Sequence, residues 1–290
     1  MWKRFFVCVL VCMATCPLLA APAAKKSAAQ PVTLSTQDGW ALLAMYLPAE
    51  PEQKTVILLH DLNKNKEEFT SFRTALEQAG FGYLALDLRG HGQSVGGGEA
   101  KTFAREGVDN QFNKMTRDVD AAVDFLQKKG IPQQEMVLLG AGLGANVAAK
   151  SSTFWPEIEN LALISPTTNV RAVLAIPAMR LYKGNVLIAA GAADKKMFLE
   201  ASVIRNVAYL TTGPENGQVT FLTAYDLTSH EMLDKYLIPS VIQWLKTPKR
   251  PELLPDEMPE EKETSVGGKE ILVEPSSTEE ALQPSVLGGI

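Results

Sequence analysis

Cysteine is absent after position 16: the chain's three cysteines, Cys8, Cys12 and Cys16, all fall near the amino terminus. A body without cysteine forms no disulfide, offers no thiol nucleophile and holds no metal through thiolate. An oxidising compartment leaves it chemically untouched. Histidine is scarce too, with His60, His91 and His230 the only three in 290 residues, so few positions can supply a base that titrates near neutrality. A basic excess is also missing. Of 28 Lys and Arg against 33 Asp and Glu, Lys3 and Arg4 lie at the amino terminus, and residues 250–290 hold 3 basic and 10 acidic residues. Residues 24–249 are therefore balanced, 23 against 23. Without a positive field there is no electrostatic basis for nucleic-acid binding.

A composition of 46% hydrophobic and 21% charged residues is that of an ordinary folded domain, and 290 residues suffice for one large α/β domain but are short for two. Lys3 and Arg4 precede an apolar run over 5–20 and the small-residue stretch Ala21-Pro22-Ala23. That order matches a secretory signal peptide. Residues 1–23 are expected to be removed, leaving a periplasmic or secreted protein without a membrane span. An uncleaved membrane anchor, or a lipid on Cys16, is the alternative; the run falls short of the roughly 20 residues a span needs. Residues 24–30 form a leader and 31–248 the folded domain. Residues 249–290 carry Pro251, Pro255, Pro259, Pro275 and Pro284 among their acidic residues. Such a tail buries too little apolar surface to offset its ordering entropy and is expected to be disordered.

Within the domain, strand and helix patterns alternate. Residues 31–35 and 40–47 flank Gln37-Asp38-Gly39, a hairpin signal. Residues 55–60 and 83–88 are compact apolar runs, as in strands buried on both faces. Residues 67–78 read as a helix stopped by Gly80. Met115, Val119, Ala122, Val123 and Leu126 recur at helical spacing within 113–129. Strands follow at 135–139, 161–164, 185–190 and 218–225, with helices at 143–151, 171–181 and 231–244. This alternation implies an α/β fold with a mostly parallel sheet covered on both faces. The short chain between 165 and 185 leaves no room for a large cap domain.

Asp87-Leu88-Arg89-Gly90-His91-Gly92-Gln93-Ser94 resembles the D-x-R-G-H-G-x-S stretch of the α/β-hydrolase superfamily, especially its serine aminopeptidase-like and dienelactone hydrolase-like branches. The resemblance extends over 31–246. The segment from His60 to Phe69 resembles the family's oxyanion loop, which usually begins His-Gly; here Asp61 stands in place of the glycine. A carboxylate there either points to solvent or, turned inward, repels a developing oxyanion. His60 and His91 are expected to shape loops.

The nucleophile elbow of such enzymes is G-x-S-x-G between a strand and a helix. The matching stretch is Gly140-Ala141-Gly142-Leu143-Gly144, and no Ser, Cys, Thr or Asp lies between Val137 and Lys150. The resemblance thus puts Gly142 at the nucleophile position, and the other two members of a triad fall on Asp194 and His230. It also puts the oxyanion donors on the backbone N–H groups of Leu62 and Leu143. Asp194 is equally suited to cap the helix behind it. No metal and no cofactor is called for.

Loss of a serine nucleophile costs about 10⁶ in turnover. The leading expectation is a catalytically impaired pseudo-hydrolase that binds a small molecule or a protein partner. The alternatives are an ester or peptide hydrolase with a relocated nucleophile such as Ser165, and non-covalent chemistry through Asp194 and His230. Gly142→Ser is then the smallest change expected to rebuild a triad.

Overall fold

Strands in which every residue is apolar need cover on both faces, and that requirement shapes this chain. A computed structural model describes residues 28–107, 109–216 and 218–248; the side chains of 213–216, 229, 230, 234 and 235 lie outside that description. The proposed signal segment and acidic tail also fall outside the described residues.

Eight strands form one sheet in the order β1-β2-β4-β3-β5-β6-β9-β10. They are β1 (Gln30–Ser35), β2 (Ala41–Leu47), β3 (Thr55–Leu59), β4 (Gly82–Leu86), β5 (Met136–Ala141), β6 (Asn160–Ile164), β9 (Asn185–Gly191) and β10 (Val219–Ala224). β2 pairs antiparallel with both β1 and β4, and every other pairing is parallel. β3, β4, β5 and β6 are buried at every residue. Their side chains alternate between two cores. Val56 and Leu58 pack with Phe72 and Leu76 of α1 (Thr70–Gln78) and with Val241 and Trp244 of α7 (Ile238–Lys246). Ile57 and Leu59 pack with Val119 and Leu126 of α2 (Thr116–Lys128), Ala145 and Ala148 of α3 (Leu143–Ser151), and Ile204 of α5 (Lys195–Asn216).

Two elements differ from the reading of the sequence. Residues 171–181 are not a helix: β7 (Asn169–Val170) and β8 (Val173–Leu174) form a small antiparallel ladder, followed by the single-turn α4 (Ile176–Met179). Arg171 and Ala172 take φ of 53° and 65° at the turn, a left-handed conformation incompatible with a right-handed helix. Pro177 sits in the first turn of α4, where a missing N–H is tolerated. The second difference is α5, 22 residues long. Ala201, Ile204 and Ala208 are buried while Leu199, Val203 and Leu210 are exposed. Apolar residues run around the whole helix, so there is no one-sided stripe to read.

Between β6 and β9 the chain holds only the β7–β8 ladder and α4, and no cap domain stands over the sheet. The strand order reverses on either side of β3, and ligand sites of open α/β sheets sit beyond the carboxyl ends of strands at such a point.

Candidate functional site

β3 and β5 run side by side with Leu59 opposite Gly140, so the loop after β3 and the turn into α3 emerge together. Two glycines let α3 start against the sheet. A Cβ on Gly144 would lie 2.0 Å from the Leu59 carbonyl oxygen, and one on Gly140 would lie 2.2 Å from the backbone of Gly144. Between them Gly142 takes φ +50° and ψ −113°, the sharp strand-to-helix turn of a nucleophile elbow.

Leu143 opens α3, so its N–H has no acceptor within the helix. It donates to Asp61 Oδ1 at 2.7 Å, and the Leu62 N–H donates to the same oxygen at 2.6 Å. The two amides that the resemblance proposes for an oxyanion hole converge on an oxygen of the chain's own carboxylate. A Cβ on Gly142 would stand 1.8 Å from Asp61 Oδ1, 2.1 Å from its Cγ and 2.5 Å from Oδ2. The two departures from the family pattern therefore exclude each other's alternative: the Asp61 carboxylate occupies the space a serine side chain needs. The hydroxyl that the sequence expectation places through Gly142→Ser thus meets Asp61 in the space it would occupy.

Asp61 is held in place from behind. Its N–H donates to Glu68 Oε2 at 2.8 Å. His60 Nε2 accepts the Leu88 N–H at 3.0 Å, so the ring proton sits on Nδ1 and is donated to the Asp61 carbonyl at 2.7 Å. Burial depresses the His60 pKa to about 4; His91 and Lys66 push the same way against the Asp61 carbonyl and Asp87. Burial lowers His91 as well, and its Nδ1 bonds the Arg89 carbonyl at 3.0 Å. Both histidines shape loops. The stretch from Asp87 to Ser94 is likewise structural. Asp87 accepts from Lys66 Nζ at 2.7 Å and from the N–H groups of Lys66 and Gln93. Fully buried Arg89 bonds Asp118 through Nε at 2.7 Å and Asp38 through both Nη atoms.

Asp194 follows β9, and its Oδ1 accepts the Met197 N–H at 3.1 Å, capping α5. His230 is the second residue of α6 (Ser229–Met232), which Thr228 and Glu231 start with a reciprocal capping box. The His230 side chain lies outside the described residues, and with it the proposed pairing to Asp194. Ser165 directly follows β6 in a left-handed conformation, φ +52°, and its buried Oγ has no hydrogen-bond partner among the described residues.

Above Gly142 opens a cavity of about 380 Å³. Leu62, Val170 and Met197 supply apolar walls, and Asp61, Lys196 and Glu200 carry charge. Lys196 and Glu200 went unnoticed in the sequence; their i, i+4 spacing directly after Asp194 was the available signal. Among the described residues no group of three or more His, Cys, Asp or Glu is placed to hold a metal ion.

Residues 50–208 match the family model described as Serine aminopeptidase, S33. The chain is 29% identical over 154 residues to the uncharacterized protein YnbC of Escherichia coli (strain K12), covering 51% of this chain and 25% of that protein. It thus spans about a quarter of that relative's length. Among solved structures it resembles the esterase Pf2001 of Pyrococcus furiosus, with a TM-score of 0.60 and 19% identity over 76% of this chain and 92% of that one. It also resembles the esterase EaEST of Exiguobacterium antarcticum, with a TM-score of 0.57 and 13% identity over 75% and 100%. Identities this low establish the α/β-hydrolase fold alone.

Proposed function

The chain belongs to the serine aminopeptidase family, S33, and from that premise we propose that it is an exported pseudo-hydrolase whose pocket binds and does not carry out acyl transfer. The observation that carries this reading is Asp61 Oδ1 seated between the amides of Leu62 and Leu143. A serine hydrolase needs a hydroxyl at the elbow and two empty donors to receive the carbonyl oxygen as it becomes negative. Gly142 supplies no hydroxyl. Even a triad stripped of its nucleophile retains roughly 10³–10⁴-fold catalysis from binding and its oxyanion hole. Here that residue is closed too, because a substrate oxygen would have to displace a carboxylate oxygen already holding both donors.

Esterase activity, named for two of the structures the chain resembles, is therefore the activity the site argues against. Water activation by His230 is the rival reading. It also needs the filled hole for any acyl substrate, which supports the binding reading over it. Export rests on the signal-like segment at residues 1–23, and amino-terminal sequencing of the mature protein should begin after Ala23.

The decisive experiment is labelling with a fluorophosphonate beside assays on activated esters. The wild-type protein should stay unlabelled and leave the esters at their spontaneous rate. Asp61→Gly with Gly142→Ser frees both the elbow and the hole, and is the variant in which labelling should first appear. Labelling of the wild type, at Ser165 or elsewhere, would sink the pseudo-hydrolase reading.

A further inference from the structure

A backbone donor opening a helix, with a second from the neighbouring loop, ordinarily draws an anion into this part of the fold. Here that demand is met internally, and the pocket floor presents an anion instead of receiving one. Resting on the binding reading above, we infer that the cavity over Gly142 takes a cationic head group, an ammonium on an apolar stem, with Asp61 Oδ2 as its counter-charge.

Asp61 has two carboxylate oxygens with different surroundings. Oδ1 is saturated by the amides of Leu62 and Leu143. Oδ2 accepts no hydrogen bond from any described residue, and Asp61 lines the cavity. The other two charged groups there are occupied with each other and with backbone. Lys196 Nζ lies 3.9 Å from Glu200 Oε1, and Glu200 Oε2 accepts from the N–H and Oγ1 of Thr168 at 2.7 and 2.9 Å. The Lys196 side chain is 84% exposed, so solvent and salt screen its charge. Among the described side chains, Asp61 is left as the unmatched charge of the cavity. The N-terminus of α3 offsets about half of it, and the remainder is negative.

A carboxylate or carbonyl ligand finds no vacant donor between Leu62 and Leu143 and meets a charge of its own sign. An ammonium finds an acceptor in Oδ2. Leu62, Val170 and Met197 give a short alkyl stem a dry wall, and about 380 Å³ is at the small end of ligand sites.

The test is isothermal titration of the full chain with n-hexylammonium, n-hexanol and n-hexanoate, repeated on Asp61→Asn. Asparagine keeps an oxygen for the two amides while removing the charge. Hexylammonium should bind the wild type at least roughly tenfold tighter than hexanol, about 1.4 kcal/mol, and hexanoate should bind weakest. In Asp61→Asn the ammonium preference should collapse while hexanol binding is unchanged. Equal affinity for all three ligands, or a preference that survives Asp61→Asn, overturns the inference and leaves the binding reading standing. Absence of heat with every ligand overturns the inference as well. Fluorophosphonate labelling of the same wild-type sample would instead remove the binding reading on which it rests.

Discussion

Gly142→Ser returns the elbow to the family pattern, yet the space around residue 142 belongs to Asp61. The new Cβ would have to share a site with Asp61 Oδ1 at 1.8 Å, and the backbone φ of +50° is one that side chains rarely adopt. Overpacking and left-handed strain each cost on the order of 1–3 kcal/mol. Gly142→Ser should therefore lower the urea midpoint of unfolding markedly. Asp61→Gly alone should cost about 1.5–3 kcal/mol, the worth of hydrogen bonding to a charged acceptor. Combined, the two changes should cost less than their sum, by a coupling in the range of about 0.5–3 kcal/mol for residues in contact. Strict additivity, or a Gly142→Ser protein as stable as the wild type, would show that Asp61 does not occupy the nucleophile's space.

At the scale of the element, Asp194 is the informative residue, because it stands where the family's catalytic acid is expected and also begins α5. Its Oδ1 accepts the Met197 N–H. A cap and a catalytic acid respond differently to substitution. Asparagine caps as well as aspartate, whereas alanine costs about 1 kcal/mol. Asp194→Asn should leave the melting temperature nearly unchanged and Asp194→Ala should lower it by several degrees. Equal loss in both variants would point to the charge and favour a pairing with His230. Helix α5 itself escaped notice because its apolar residues lie on all sides, and because Gly213-Pro214 near its end is a stop signal. The ladder of β7 and β8 escaped for another reason. Its turn is made by Arg171 and Ala172, neither of which advertises a left-handed conformation.

For the molecule as a whole, buried titratable groups govern how stability responds to acid. His60 ties the end of β3 to the loop after β4 through Leu88. Burial lowers its pKa to about 4, against about 6.5 in the unfolded chain. A depressed folded-state pKa means that the unfolded state takes up the proton first. Stability from this group is thus complete above about pH 6.5 and lost as pH falls toward 4, a loss of about 3 kcal/mol. His91, also lowered by burial, acts in the same direction. Asp38 contributes below that window. Although burial opposes it, hydrogen bonds from Arg89, Thr36 and Arg117 hold its carboxyl well below the usual range. Burial pushes Asp118 up to about 6 against the pull of Arg89, so it acts in the opposite direction over this window. The His60 contribution is therefore read as a difference, and urea midpoints measured from pH 7.5 to 4 should fall more steeply between 6.5 and 4.5 in the wild type than in His60→Gln. Identical pH slopes in the wild type and His60→Gln over this interval would contradict the buried neutral assignment of His60.

Fold class was legible in the residues because a parallel sheet covered on both faces demands uninterrupted apolar strands, and short runs such as Thr55–Leu59 and Met136–Ala141, alternating with helical patterns, meet that demand. Absence of an elbow nucleophile was equally legible, since glycine has no side chain whatever surrounds it. The direction of Asp61 was not. Rotation about its side-chain bonds chooses between solvent and the paired amides, and nothing adjacent in sequence weights that choice. The Leu143 N–H that completes the pair comes from 82 residues away, and it is left without an acceptor only because α3 begins there. That residue 142 cannot attack follows from glycine alone, whereas Asp61 fills the place of attack because folding sets the loop after β3 against the first turn of α3.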